Sequence, residues 1–143
     1  MRCLPLFCLA LMAVVLQPDA AAKERSEAIT ASTVLKTATS WDGTPIHYPP
    51  GRAEVTGMVI ELVPGAQTGW HRHEVPSFAL VLEGELEVRL KNGVTKRFKS
   101  GEALAEVVDT LHNGRNVGPG TVKLVVFYAG AADRKPTIAS HGP

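Results

Sequence analysis

Glu85-Leu86-Glu87-Val88-Arg89-Leu90-Lys91-Asn92-Gly93-Val94-Thr95-Lys96-Arg97-Phe98 decides the fold. Across residues 85–90 charged and apolar side chains alternate strictly. Successive side chains of a strand point to opposite faces, so one face of this segment is wet and the other buried. Asn92-Gly93 follows, the strongest short signal for a hairpin, because both residues accept the positive φ that tight turns between strands demand. Residues 94–98 then return antiparallel, and their lysine and arginine suit an exposed or edge strand.

Similar runs lie on both sides of this hairpin. Residues 55–63 end at Pro64-Gly65, residues 78–82 end at Gly84, and residues 102–108 and 122–128 follow. Short runs separated by turn residues are the pattern of an all-β sandwich or barrel. Residues 122–128 are apolar throughout except Lys123, which predicts a strand covered on both faces. The whole chain has 143 residues, 45% of them hydrophobic, enough for one domain with a core and too few for two. With 13 Gly, 10 Pro and only 6% aromatics it favours many short elements over a helical bundle.

Residues 1–22 read as an export signal: Arg2, an apolar stretch over residues 4–16, then Ala20-Ala21-Ala22 as a small-residue cleavage pattern. A run of about thirteen residues is too short to span a bilayer, which needs about 20. Cys3 and Cys8 both fall inside this segment, so the remainder must be stable without disulfides. The expected organisation is a signal at 1–22, an N-terminal arm at 23–53 and a β domain at 54–143. The expected location is the periplasm or the exterior, with no membrane contact once the signal is removed. The net charge is +1, with no basic run, so there is no electrostatic footprint for nucleic acid.

Three of the five histidines are candidates for chemistry. His71 and His73 stand two apart, and on a strand such residues share a face about 6.6 Å apart. Two imidazoles at that spacing can converge on one ion at about 2.0–2.1 Å, although a lone pair of this kind is also common on exposed hairpins. His112 follows a probable strand at 102–108 and supplies a third imidazole. His47 and His141 sit in turn-rich or terminal context and receive no role.

With these residues in place, the chain resembles the cupin superfamily. The first cupin motif runs Gly, five residues, His-x-His, a short gap, Glu, six residues, Gly; Gly65, His71, His73 and Gly84 fall at those spacings. The second runs Gly, five residues, Pro-x-Gly, two residues, His, three residues, Asn; Gly101, His112 and Asn116 match it without a gap. The resemblance implies a single antiparallel β-barrel of jelly-roll type, with His71, His73 and His112 around a divalent metal. Imidazoles suit Fe, Mn, Ni, Cu or Zn better than Ca or Mg, and three of them leave positions open. Barrels of this family often pair as homodimers, and the arm at 41–50 is a candidate contact.

Two departures stand out. The motif's Glu falls at Ser77 or Phe78, neither a carboxylate, so the usual fourth protein ligand is missing. Glu106, six residues before His112 in an otherwise apolar run, is expected to point inward. There it either completes the metal shell or acts as acid/base; an outward, solvated glutamate is the alternative. The Pro-x-Gly turn is replaced by Val107-Val108-Asp109, where Asp tolerates turn conformations. Glu74 and Arg72 should face outward, Trp70 should pack away from the ligands, and Tyr128 and Phe78 read as core.

The leading expectation is an exported protein with a mononuclear centre that binds a small, anionic or enol-like molecule for oxygenase-type chemistry. A periplasmic metal or metabolite binder without turnover is the alternative, and a purely structural metal a third. Fold cannot choose among these.

Overall fold

The structure, a computed structural model, describes residues 29–140, so the signal reading of residues 1–22 and His141 lie outside it. The compact unit that begins at Thr33 carries nine strands and, among the described residues, no helix. They are β1 (Ala53–Leu62), β2 (His71–Arg72), β3 (Ser77–Glu83), β4 (Glu85–Leu90), β5 (Thr95–Lys99), β6 (Ala103–Ala105), β7 (His112–Asn116), β8 (Val122–Ala131) and β9 (Ile138–Ala139). Two antiparallel sheets result, ordered β1-β8-β3-β6 and β5-β4-β7-β2-β9.

The deciding hairpin forms as expected: β4 and β5 pair from Glu85↔Lys99 to Arg89↔Thr95, and β5 is an edge strand. Its turn is one residue longer than a bare Asn-Gly turn. Leu90 N–H donates to Val94 O (2.8 Å) and Gly93 N–H to Leu90 O (3.0 Å), with Gly93 at φ 90°. This is a type I turn closed by a left-handed residue, the favoured three-residue hairpin loop. Leu86, Val88 and Leu90 face inward, all 5% exposed or less.

Gly84 carries the chain from one sheet to the other. Its φ is 81°, and a Cβ there would stand 2.8 Å from Thr121 O and 2.9 Å from Val122 Cγ2, so both conformation and space require glycine. Strand β3 enters this crossing and β4 leaves it, which sets the two sheets face to face. Leu62, Val81, Leu86, Val88, Leu124 and Val126 meet between them as the core.

Two expectations are corrected. The ladders do not join into a single closed barrel; the protein has two facing sheets. The strands where closure would occur are short, three residues in β6 and two in β2, and beyond them, among the described residues, a single bridge, His73↔Val108, links the segments. Pro76, which has no N–H, and Asp109, at φ 51°, stop any longer ladder there. Second, β8 is covered on one face only. Phe127 is 50% exposed and its outward neighbours on β1, Val55 and Val59, 65% and 61%. Strand β8 is apolar because it is central in its sheet, hydrogen-bonded to β1 and β3, rather than because both faces are packed.

Asn116, the last residue of the second motif, closes β7. Its amide donates to Leu62 O and Gly120 O (2.8 Å each) and its Oδ1 accepts from Gly118 N–H (2.9 Å). The residue is buried and fully bonded to main chain, so its work is to pin the turn behind the histidine strand.

Candidate metal centre

Strand pairing brings the histidines together. His71 on β2 stands directly opposite His112 on β7, and His73 follows two residues later beside Val108. The ring centroids are 4.3 Å apart for His71 and His112, 4.8 Å for His73 and His112, and 5.0 Å for His71 and His73. Each histidine offers a ligand atom, and the three atoms lie within 4.8 Å of one another.

Main-chain carbonyls fix the tautomers. Nδ1 of His71 lies 2.9 Å from Gly69 O, Nδ1 of His73 2.9 Å from Pro136 O, and Nδ1 of His112 2.8 Å from Thr110 O. A carbonyl only accepts, so each Nδ1 carries the hydrogen and each Nε2 presents a lone pair. Orientation of a metal-binding imidazole through its second nitrogen is the common device of such sites. The Nε2 atoms of His73 and His112 are 3.2 Å apart. Two lone pairs facing at that distance repel unless a cation or a proton lies between them. Ligands at about 2.0–2.1 Å from one ion stand about 2.9–3.4 Å apart, so this pair fits a shared transition metal.

Burial tunes the same groups. Desolvation is the largest cause that lowers all three histidines below their ordinary 6.5, and pushes His73 down to about 3. Coulombic repulsion from His112 and His71 adds to the effect on His73. Neutral imidazoles are the ligating form, so the cluster stays ready to bind under mildly acidic conditions.

The rim explains how the altered turn is tolerated. Asp109 takes the left-handed conformation that the missing glycine would have supplied, and its N–H donates to His73 O at 2.8 Å. The Arg72 guanidinium pairs with the Asp109 carboxylate and stands 3.6 Å from Glu74. Arg72 and Glu74 thus face outward, as alternation predicts. Trp70 also lies outside, with Lys91 Nζ 4.3 Å and Arg89 5.5 Å from its ring centroid.

Glu106 is buried and lines a cavity of about 50 Å³ together with all three histidines. Converging ligand geometry belongs to the three histidines, and Glu106 is outside that group. Trp41 Nε1–H donates to its Oε2 at 3.1 Å, while the Ser40 hydroxyl donates to its main-chain O at 2.8 Å. Burial is the main cause raising its carboxyl from 4.5 to about 7, opposed by the Trp41 bond and by His71. Strand β6 ends just before Glu106, whose N–H donates to Ser77 O.

Ser77 occupies the place where the motif has Glu. It shares the inward face of β3 with Ala79 and Val81, and its Oγ is buried without a hydrogen-bond partner. Phe78 faces outward, opposite Phe127.

Other contributors carry no local signal. Trp41 reaches Glu106 from 65 residues away, which sets the arm against its own chain. Pro136 and Thr137 hold His73 from the C-terminal segment, where β9 pairs with β2. Tyr128 stands edge-on to His73, ring centroids 5.3 Å apart, and lines the cavity.

Fold and site together define the class: a two-sheet β protein built round a largely buried three-histidine cluster that could hold a metal ion. The chain belongs to the cupin superfamily; the Cupin domain family matches residues 58–128, which include all three histidines and Glu106. Oryzines biosynthesis cluster protein J of Aspergillus oryzae is 32% identical over 97 residues, 66% of this chain and 52% of that protein. The chain therefore spans about half the length of this curated relative. Among solved structures, the DMSP lyase DddQ of Ruegeria pomeroyi aligns with TM-score 0.54 and 16% identity, covering 62% of this chain and 45% of that one. A cupin-like protein of Thermotoga maritima gives 0.54 and 16%, covering 62% and 65%. An oxalate oxidase gives 0.52 and 19%, covering 59% and 45%. These similarities establish the shared fold.

Proposed function

We propose that this protein holds one divalent transition metal on His71, His73 and His112 and uses it to bind a small anionic or enol-like molecule for oxygenase-type chemistry. The observation that carries the reading is the set of three carbonyl-anchored Nδ1–H groups that leave three Nε2 lone pairs free, in a cluster whose ligand atoms lie within 4.8 Å of one another. Fe, Mn, Ni, Cu or Zn bound there would supply Lewis acidity and, for the redox-active ions, electrons for O₂. The chain's own residues do the rest. The imidazoles stay neutral and orient the site, the aliphatic walls exclude water, and Glu106 holds or releases a proton beside the ligand. A carboxyl poised near neutrality is suited to that task. Three neutral imidazoles round a dication leave +2, and ionised Glu106 brings the local charge to +1.

In this reading the two sheets are the halves of a jelly-roll barrel. The protein is exported to the periplasm or exterior by residues 1–22, and it pairs as a homodimer. The exposed apolar face of Val55, Val59 and Phe127 supports pairing. Metal analysis of the purified protein with oxygen uptake on small acids, thiols and enols tests the proposal. One Fe, Mn or Cu per chain with substrate-dependent uptake is expected. Tightly held Zn without uptake selects the alternative, a metal or metabolite binder without turnover, and absence of bound metal overturns both.

A further inference from the structure

The cavity beside the histidines is chemically lopsided. Its wall beyond the imidazoles is made of Ile60 and Leu62 on β1, Leu86 and Val88 on β4, and Leu124 and Val126 on β8. These are inward-facing side chains of both sheets, and the cavity runs between them. Among the described residues no Lys or Arg lines it, and Glu106 is its one carboxylate. The threonine hydroxyl at its edge is already engaged. Thr68 Oγ1 accepts from Gly114 N–H at 2.9 Å and has main-chain and side-chain acceptors at Gly69 O (3.1 Å) and Asn113 Oδ1 (3.3 Å). Apart from Glu106 and Tyr128, a ligand group reaching past the histidines therefore meets hydrocarbon, with no cation to pair a charge.

From this we infer the ligand class: a molecule with a single anionic or enolised head, set at the three-histidine centre, and a short apolar tail lying in the aliphatic slot. The inference rests on the metal-centre reading above and adds selectivity to it. Charge supports the single head. A dication on three neutral imidazoles beside ionised Glu106 carries +1, which one anionic group neutralises. A second carboxylate at the tail would lie against Leu and Val with no cation, and burying an unpaired charge is strongly unfavourable. Each tail methylene, by contrast, leaves water for hydrocarbon, which favours binding.

The test uses the full chain loaded with Co²⁺, whose visible absorption reports ligands that reach the metal. Cobalt content is measured first, and then acetate, propionate, butyrate and succinate are titrated. One Co²⁺ per chain is expected, with affinity rising about fourfold per methylene from acetate to butyrate. Succinate, which has butyrate's four carbons and a second carboxylate, should bind at least about tenfold more weakly than butyrate. Ile60→Ala, at a partly exposed wall position, should keep one Co²⁺ and reduce the gain per methylene to about twofold or less. Affinity that is flat along the series, or succinate equal to butyrate, overturns the ligand class while the metal centre stands. Failure to take up cobalt overturns the centre and the ligand class together.

Discussion

The histidine cluster and Glu106 line one cavity, yet they are held by opposite means. Each imidazole is anchored through Nδ1 to a main-chain carbonyl, at Gly69, Pro136 or Thr110. Glu106 is anchored through its carboxylate to a side chain, the Trp41 indole. Burial also drives the two in opposite directions on the pH scale, the histidines down and the carboxyl up. In both cases burial favours the uncharged form, because the low-dielectric interior penalises charge of either sign. The consequence for chemistry differs. A neutral imidazole has a lone pair that can bind a metal, whereas a carboxyl near neutrality can take up or release a proton.

The sharpest way to break this division is to remove an imidazole. His112→Ala should abolish stoichiometric metal, a loss beyond the roughly 10–100-fold that follows removal of a mere supporting partner. Metal content by mass spectrometry after dialysis reads it. Glu106→Gln should leave one metal per chain, since the carboxylate lies outside the converging group.

The same Glu106→Gln variant separates the two groups in the metal-free protein. Glu106 has a raised pKa in the fold, so its contribution to stability is full below about pH 4.5 and is lost as pH rises through about 7. The histidines, with lowered values, contribute stability that is present above 6.5 and lost as pH falls. Gln carries only the first effect away. The variant should therefore gain on wild type between pH 5 and pH 8, by at most about 3 kcal/mol, in thermal melts across that range.

Trp41→Phe keeps the ring and deletes the donor. It should cost about 1–3 kcal/mol and move the Glu106 carboxyl further upward, because the indole bond is the largest influence holding it down. Carboxyl infrared absorption across a pH titration follows that shift directly. Ser77→Ala should change stability by less than about 1 kcal/mol, because the Oγ it deletes makes no hydrogen bond. A larger loss in urea melts would reveal a partner for that hydroxyl.

How much of this was legible in the sequence follows the same division. His71, His73 and His112 stood out because strand alternation and two spaced motifs are local patterns, and the β2–β7 register then made His71 and His112 direct neighbours. Asp109 was readable too, as a residue that tolerates the turn it makes at φ 51°. Trp41 was not, since its bond to Glu106 spans 65 residues and depends on where the arm crosses β6. Pro136 was hidden for the same reason. Open sheets in place of a closed barrel follow from the two-residue and three-residue lengths of β2 and β6, which periodicity over 102–108 overestimated. The exposed outer face of β8 was missed because a central strand and a strand covered on both faces share one composition.

Anomalous X-ray diffraction from crystals of the metal-loaded protein locates the ion among the histidines. A single strong peak is expected at the metal's absorption edge, about 2.0–2.1 Å from Nε2 of His71, His73 and His112 alike. A peak bound elsewhere on the chain, or one that reaches only two of these nitrogens, would contradict the three-histidine centre.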